Sequence, residues 1–274
     1  MQHELEVARR IAREAGRILL EIYSGDHGVQ WKGYDDPVTT ADKNANTFIV
    51  NELRKAFPGD GILSEEATDN PSRLSQARVW MVDPMDGTRQ FIDHIPEFAV
   101  MIGLSLQGKA ALGVVYNPVT DSMYFGSSGD GAYLEKGLTT RRLKVDPVSD
   151  FDLVTAAMSR SHHSPVVDGI KDALGIRKSI QSGSVGLKVG LLVDGLAHFY
   201  IHPGAKTCQW DTCAPQAILE AAGGRMTDRN GEPLTYNALE IRNLKGIIAT
   251  NGIIHDRVIA EVRATMSRLT GNND

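Results

Sequence analysis

Val79-Trp80-Met81-Val82-Asp83-Pro84-Met85-Asp86-Gly87-Thr88-Arg89-Gln90-Phe91 is the stretch on which the reading of this chain turns. Val79 to Val82 is a short apolar run rich in β-branched and aromatic residues, the pattern of a buried strand. It runs directly into two acids three residues apart, and no neighbouring side chain offsets the cost of burying them. Two carboxylates held so close repel unless a cation sits between them. A divalent metal is the simplest answer, because hard cations such as Mg²⁺ take carboxylate and backbone carbonyl oxygens. Pro84 fixes the turn and removes a donor, which leaves Asp83, the Met85 carbonyl and Asp86 free to converge. Gly87 and Thr88 then offer backbone N–H groups where a helix could begin, a setting that suits an anion. An ordinary turn in which Asp83 caps a helix is the competing reading of D-P-x-D on its own.

Three further acidic clusters stand at element boundaries. Asp35-Asp36-Pro37-Val38-Thr39-Thr40-Ala41-Asp42 precedes an amphipathic helix, and Gly61-Ile62-Leu63-Ser64-Glu65-Glu66 is a short apolar strand ending in two acids. Trp210-Asp211-Thr212-Cys213-Ala214-Pro215 leads into a helical run that stops at Gly223-Gly224. Four such clusters are what a multi-metal phosphate site needs. Together, V-D-P-M-D-G-T, the upstream S-E-E, and the downstream W-D-T-C-A-P and E-A-A-G-G resemble the inositol monophosphatase superfamily of lithium-sensitive, magnesium-dependent phosphatases. The resemblance runs from the first helix to about Asn251, with the motifs in the family's order. Within that superfamily, S-R-S-H, G-S-V-G-L-K and P-G-A-K-x-x-x-W-D-T-C-A-P are most similar to the 3′(2′),5′-bisphosphate nucleotidases. Those remove the 3′-phosphate from 3′-phosphoadenosine 5′-phosphate.

Bulk properties agree with a globular enzyme of small molecules. The 274 residues suffice for one large domain or two small ones, and 42% hydrophobic with 23% charged residues is ordinary for a globular chain. A formal net charge of −5 argues against a nucleic-acid polymer as partner. It leaves room for a small polyanion, since bound metals and local lysines reverse the sign inside a cleft. Cys208 and Cys213 lack any metal-ligand spacing and read as free thiols in a reducing compartment. No apolar run approaches the roughly 20 residues of a membrane helix, and Met1 to Glu14 lacks a signal peptide's apolar core. The expectation is a cytoplasmic protein with no membrane partner.

Taken in order, Leu5 to Tyr23 has helical spacing, with Gly25 as the stop. Trp31 to Pro37 reads as a polar loop. Thr40 is a plausible N-cap for a helix to about Ala56, with Asp42 in its first turn, where an acid also simply favours the helix dipole. Thr68 to Ala77 reads as a solvated loop. Phe98 to Leu106, Ala110 to Asn117 and Asp121 to Ser127 form an antiparallel meander, and further hairpins are expected around Gly129 to Gly131 and Arg141 to Asp146. From Leu153 onward strands and helices alternate: a strand at Leu153 to Met158, a helix at Ser164 to Leu174, a strand near Ile180 and a helix at Gly186 to Asp194. A strand at Leu196 to Ile201, a helix at Pro215 to Ala222 and a strand at Lys245 to Thr250 complete the pattern. The organisation expected is an α+β half over residues 1–148 packed on an α/β half over 149–274. The resemblance implies a layered αβαβα sandwich with the site between the halves, in a monomer or a homodimer.

The resemblance also implies roles. Glu65, Asp83 and the Met85 carbonyl would hold the Mg²⁺ that activates water. Asp83, Asp86 and Asp211 would hold a second ion, and a third, weaker one would sit near Glu65. No sequence feature suggests a covalent phosphoenzyme, so direct attack by water is expected. Thr88 is placed to orient that water with Asp42 behind it as relay or base, although Thr88 also suits a helix N-cap. Gly87 and Thr88 N–H groups would cradle phosphate, and Glu66 would stand behind the site or in solvent.

Substrate choice falls to the second half. Ser159 and His162 lie at a strand end, where α/β sheets commonly contact ligands, though a lone histidine is as readily structural. Gly183, Ser184 and Lys188 join a turn to a helix start, with Lys188 as partner for a second phosphate. Inositol monophosphatases carry a glutamate shortly before W-D. Here His202 to Gln209 contains no acid, and Lys206 stands there instead, with a role left open by the longer spacing to Trp210.

Overall fold

Apolar residues at helical spacing near the N-terminus form α1 (Gln2–Tyr23), which buries Ala8, Ile11, Ala12, Ala15 and Leu19 completely. The computed structural model describes residues 1–25, 29–33, 36–161 and 163–271; Asp35 and His162 lie outside them. Where a polar loop is expected, β1 (Gln30–Gly33) and β2 (Asp36–Val38) pair antiparallel. Then comes α2 (Thr40–Ala56), one residue off the expected start because Thr39 is the cap. The Thr39 hydroxyl accepts from the Ala41 and Asp42 N–H groups while Asp42 accepts from the Thr39 N–H at 2.7 Å, a reciprocal capping box.

β3 (Gly61–Ser64) runs parallel to β4 (Arg78–Asp86), and between them the expected solvated loop holds a short 3₁₀ turn at Pro71–Ser75. The turn is pinned by Arg73, buried at 1% exposure and bonded to Asp69, Asn237 and the Ala238 carbonyl. β4 does not stop at Val82 but continues through the acidic motif. Asp83 pairs with Met101 and Asp86 with Ala99, so one extra residue bulges between them. Pro84, with no N–H to give a ladder, sits inside that bulge. The helix α3 (Thr88–Ile92) follows, and β5 (Ala99–Leu106), β6 (Lys109–Asn117), β7 (Ser122–Ser127), β8 (Gly131–Lys136) and β9 (Thr139–Leu143) extend the sheet antiparallel in chain order. The last hairpin turns at Gly137-Leu138, ahead of the Arg141 to Asp146 segment.

The second sheet is mixed. β10 (Thr155–Ser159) lies parallel to β11 (Lys178–Ser182) and β12 (Phe199–His202), while β13 (Arg225–Thr227) and β14 (Ile247–Thr250) add antiparallel, in the order β11-β10-β12-β14-β13. Its helices are α4 (Pro165–Ala173), α5 (Val185–Val193), α6 (Gln209–Ala221) and α7 (His255–Gly271). α6 starts six residues before Pro215, because Cys208 and Asp211 form a second capping box there. α7 was not expected. Its Val258, Ile259 and Val262 recur at helical spacing and close the core against Val167 and Ile170 of α4.

Five layers result: α1 and α2, the seven-stranded sheet, α5 and α6, the five-stranded sheet, then α4 and α7. Among the described residues, no helix is long and apolar enough to cross a membrane. The central layer depends on glycines paired across strands. Gly103 faces Gly113 in the sheet, and a Cβ on either would run into Cys213 or Ala214 of α6. Removing two side chains lets the helix backbone settle on the sheet and brings Asp211 up to the end of β4. Gly113→Ala should therefore force α6 outward and cost about 3 kcal/mol, seen as a fall of roughly 6–12 °C in melting temperature. An unchanged melt would show that the helix has slack to give.

Candidate active site

At the end of β4 three carboxyl groups meet, Asp83 buried and Glu65 and Asp211 half-buried. Asp83 is 1% exposed and its Oδ1 accepts the Met85 N–H at 2.9 Å. Asp211, in the first turn of α6, accepts the Cys208 N–H at 2.6 Å and shares a hydrogen bond with Asp83. Glu65 follows β3 directly, its N–H held by the Val82 carbonyl at 3.1 Å. Burial, then Glu65, Asp86 and Asp211 in that order, push the Asp83 carboxyl well above the usual carboxylate range. Burial, then Asp86 and Glu65, do the same to Asp211. Asp86 is raised by burial too, but Lys188 and the donors from Ser184 and Gly186 oppose the rise.

Asp42 and Thr88 come together as the sequence suggests. The Thr88 hydroxyl lies 3.2 Å from Asp42 Oδ1 and 3.2 Å from the Met85 carbonyl. Asp42 Oδ2 takes both the N–H and the hydroxyl of Thr39, at 2.7 and 2.6 Å. Burial pushes the Asp42 carboxyl up to about 6, against the pull of those Thr39 bonds, and the neighbouring Glu66 charge adds to the rise. Glu66 thus stands behind Asp42. Gly87 precedes α3 with φ +103°, a conformation that favours glycine, and there is no room for a Cβ against the Glu97 carbonyl.

The second half meets this cluster through the turn before α5. The Ser184 hydroxyl donates to Asp86 Oδ2 at 2.5 Å and the Gly186 N–H reaches the same oxygen at 2.8 Å. The Gly183 N–H is taken by Glu97 at 2.9 Å. These donors, read from sequence as substrate contacts, are engaged within the protein. Lys188 differs most from expectation. It is 1% exposed, its ammonium donates to the Ser182 and Gly183 carbonyls at 3.2 and 3.0 Å, and it lies 5.0 Å over the Tyr200 ring. Burial lowers its pKa to about 8, against the opposing pull of Asp86, Glu97 and Asp211. A lysine at the start of an apolar helix turns inward, so it serves as an internal cation beside the carboxylates rather than an arm in solvent.

A cleft of about 680 Å³ opens over the cluster, with Glu65, Asp86, Thr88 and Asp211 on one side and Lys206 and Arg242 among its other lining residues. A second cavity of about 370 Å³ shares Ser159, Ser161, His202 and Lys206 with it, and Met158, Val167 and Ile201 are among its other lining residues. His163, unassigned in the sequence, pairs with Asp168 at 2.6 Å. Gln90, Tyr200 and Arg242 line the cleft without having been anticipated; only Gln90 carried a signal, its place in the organising stretch.

Glu65, Asp83, Asp86, Asp211 and the Met85 carbonyl make an all-oxygen donor set, the kind a hard divalent cation takes. Burial, joined by mutual repulsion, raises the Asp83 and Asp211 carboxyls, and such a cation relieves both. Among the described residues, however, no three His, Cys, Asp or Glu side chains already form a closed cage. The donors suit Mg²⁺ in chemistry; the cage is not drawn shut.

The layered sandwich and its acid-walled cleft, together with the comparisons that follow, define a phosphoric monoester hydrolase. The model of the inositol monophosphatase family matches residues 1–267. The 3′(2′),5′-bisphosphate nucleotidase CysQ of Salmonella typhimurium is 38% identical over 241 residues, covering 86% of this chain and 95% of the relative. Among solved structures, CysQ from Bacteroides thetaiotaomicron superimposes with a TM-score of 0.80 at 31% identity, over 92% of this chain and 98% of that one. The Thermotoga maritima IMPase superimposes with a TM-score of 0.83 at 26% identity, over 97% and 99%. The chain belongs to the inositol monophosphatase family, is similar within it to CysQ proteins, and acts on a phosphorylated small molecule. Membership carries the expectation of magnesium dependence.

Proposed function

We propose that the protein is a cytoplasmic 3′(2′),5′-bisphosphate nucleotidase that hydrolyses the 3′-phosphate of 3′-phosphoadenosine 5′-phosphate. The observation that carries this reading is the pairing of two spaces. The acid-walled cleft has basic Lys206 and Arg242 in its lining, and it shares Ser159, Ser161, His202 and Lys206 with a second cavity whose lining includes the apolar Met158, Val167 and Ile201. A second phosphate suits the first feature and a flat base the second. An inositol ring has use for neither, and the segment before Trp210 lacks an acid to bind ring hydroxyls.

In this reading Glu65, Asp83, Asp86, Asp211 and the Met85 carbonyl hold two or three Mg²⁺ ions. When bound, these supply charge shielding, a more acidic water and stabilisation of the leaving oxygen. The remaining work is the chain's own. Thr88 Oγ1 orients the attacking water and passes its proton toward Asp42 Oδ1. Burial has raised the affinity of Asp42 for that proton. Gly87 and Thr88 N–H groups face the phosphate oxygens. Lys188 holds the turn that carries Ser184, and Lys206 takes over the second phosphate. A charge-assisted contact of that kind is worth on the order of 1.5–3 kcal/mol.

Phosphate release from a small panel with Mg²⁺ tests the reading. Wild type should prefer 3′-phosphoadenosine 5′-phosphate to inositol monophosphate, and Lys206→Ala should lower kcat/KM for the former by roughly ten- to a hundredfold while barely changing the latter. A wild-type preference for inositol monophosphate would overturn it in favour of inositol or sugar phosphates.

A further inference from the structure

We infer that Glu97 is a positioning residue. It ties the Gly183 turn of the second half to the loop entering β5 and so keeps Ser184 and Gly186 on the Asp86 carboxylate. The inference rests on the reading of Asp86 as a cation ligand given above.

Glu97 works from both ends. Its carboxylate gathers three donors: Oε2 accepts Arg160 Nε at 2.7 Å and the Gly183 N–H at 2.9 Å, and Oε1 accepts Arg160 Nη2 at 2.6 Å. The Arg160 N–H in turn donates to the Ser182 carbonyl at 3.2 Å. One carboxylate thus collects the ends of β10 and β11. A residue beyond Gly183, the Ser184 hydroxyl reaches Asp86 Oδ2, and Gly186 N–H joins it. Meanwhile the Glu97 main chain packs on Gly87, the residue after Asp86, where an added Cβ would come within 2.8 Å of the Glu97 carbonyl.

The turn cannot simply shift sideways. A Cβ on Gly183 would collide with the Gln90 side chain, which itself donates to Ser161 at 2.5 Å, and Lys188 holds the Ser182 and Gly183 carbonyls from beneath. Both clamp bonds fall on Oδ2 of Asp86, which fixes the rotation of that carboxylate. Donors of this kind orient a ligand and commonly change metal affinity ten- to a hundredfold when lost. An ordinary surface ion pair contributes far less. Glu97 and Arg160 would pass for one if the Gly183 bond were overlooked.

Magnesium binding to the full chain, followed by calorimetry, tests this, with thermal melting of the magnesium-free protein as the check on folding. Glu97→Ala should weaken Mg²⁺ binding by roughly ten- to a hundredfold. Glu97→Gln keeps an oxygen for the Gly183 N–H and should recover most of that loss. Arg160→Ala, which removes the ion pair and leaves the Gly183 acceptor, should behave like Glu97→Gln. Should Glu97→Ala not fold, Glu97→Asp replaces it: a carboxylate one methylene shorter cannot span Arg160 and Gly183 together, and affinity should again fall. Wild-type affinity in a folded Glu97→Ala or Glu97→Asp overturns the inference, as does a loss in Glu97→Gln as large as in Glu97→Ala. Absence of Mg²⁺ binding to the wild type would instead overturn the reading of Asp86, so the two failures are distinguishable.

Discussion

Asp83→Asn should lower kcat/KM by at least about a thousandfold and, in the same protein, raise the melting temperature when magnesium is absent. Both effects come from one cause. Asp83 is buried against Glu65, Asp86 and Asp211, and its carboxyl is held well above the usual range. Since its folded-state pKa exceeds the unfolded value, the folded state binds more protons between the two. Stability therefore falls as pH rises through that window. An asparagine keeps an oxygen for the Met85 N–H and removes the charge. The wild-type protein without magnesium should thus lose stability more steeply than the variant as pH rises above the usual carboxylate range, with each kcal/mol moving the melt by about 2–4 °C. Adding Mg²⁺ should reverse the order, because a ligand that binds only the folded state stabilises it by mass action and the variant has lost a donor. Scanning calorimetry at two pH values, with and without Mg²⁺, checks the prediction. A variant less stable than wild type under magnesium-free conditions at about pH 8 would show that Asp83 is held by attraction, and the repulsion argument would fail.

The acids of the site were legible because each sits in a short, dense motif at an element end, where burial and charge conflict visibly. Local pattern marked Glu65, Asp83 and Asp211 as acids at element ends and most strands of the meander, whereas a role for Asp42, an ordinary first-turn acid by spacing, needed the family resemblance. What was not legible involved distance along the chain. Gly183 and Glu97 are 86 residues apart and Ser184 and Asp86 are 98 apart, so nothing local marks their bonds. The sequence offers Lys188 as partner for a second phosphate because it stands in a turn-to-helix segment, where nothing local marks it as buried. Its burial follows from the apolar helix around it and from carboxylates contributed by other elements. A helix start at Pro215 omits the first six residues of α6, which begins at Gln209 because Cys208 caps it with Asp211 in the first turn. Glu97 drew no notice at all, being an acid in a loop between Pro96 and a strand.

Thr88→Ala separates orienting water from holding a cation, and the structure makes the two outcomes distinct. The Thr88 hydroxyl has one proton and two acceptors within 3.2 Å, Asp42 Oδ1 and the Met85 carbonyl. If it works toward Asp42, its loss removes the path by which a proton reaches the carboxyl raised to about 6. kcat should then fall by roughly a hundred- to a thousandfold, the scale of a lost general base, while the magnesium concentration for half-maximal activity stays near the wild-type value. Thr88→Ser restores the hydroxyl and should return kcat to within a few-fold. Asp42→Asn should resemble Thr88→Ala, and the double variant should be little worse than either, since residues acting as one unit are not additive. If the hydroxyl serves mainly to fix the Met85 carbonyl, the pattern inverts. The magnesium requirement rises, kcat at saturating Mg²⁺ is nearly kept, and Asp42→Asn no longer tracks Thr88→Ala. Steady-state rates across a magnesium titration for wild type and the four variants decide between them, and the inverted pattern would remove Thr88 from the chemistry and leave it as a support of the metal loop.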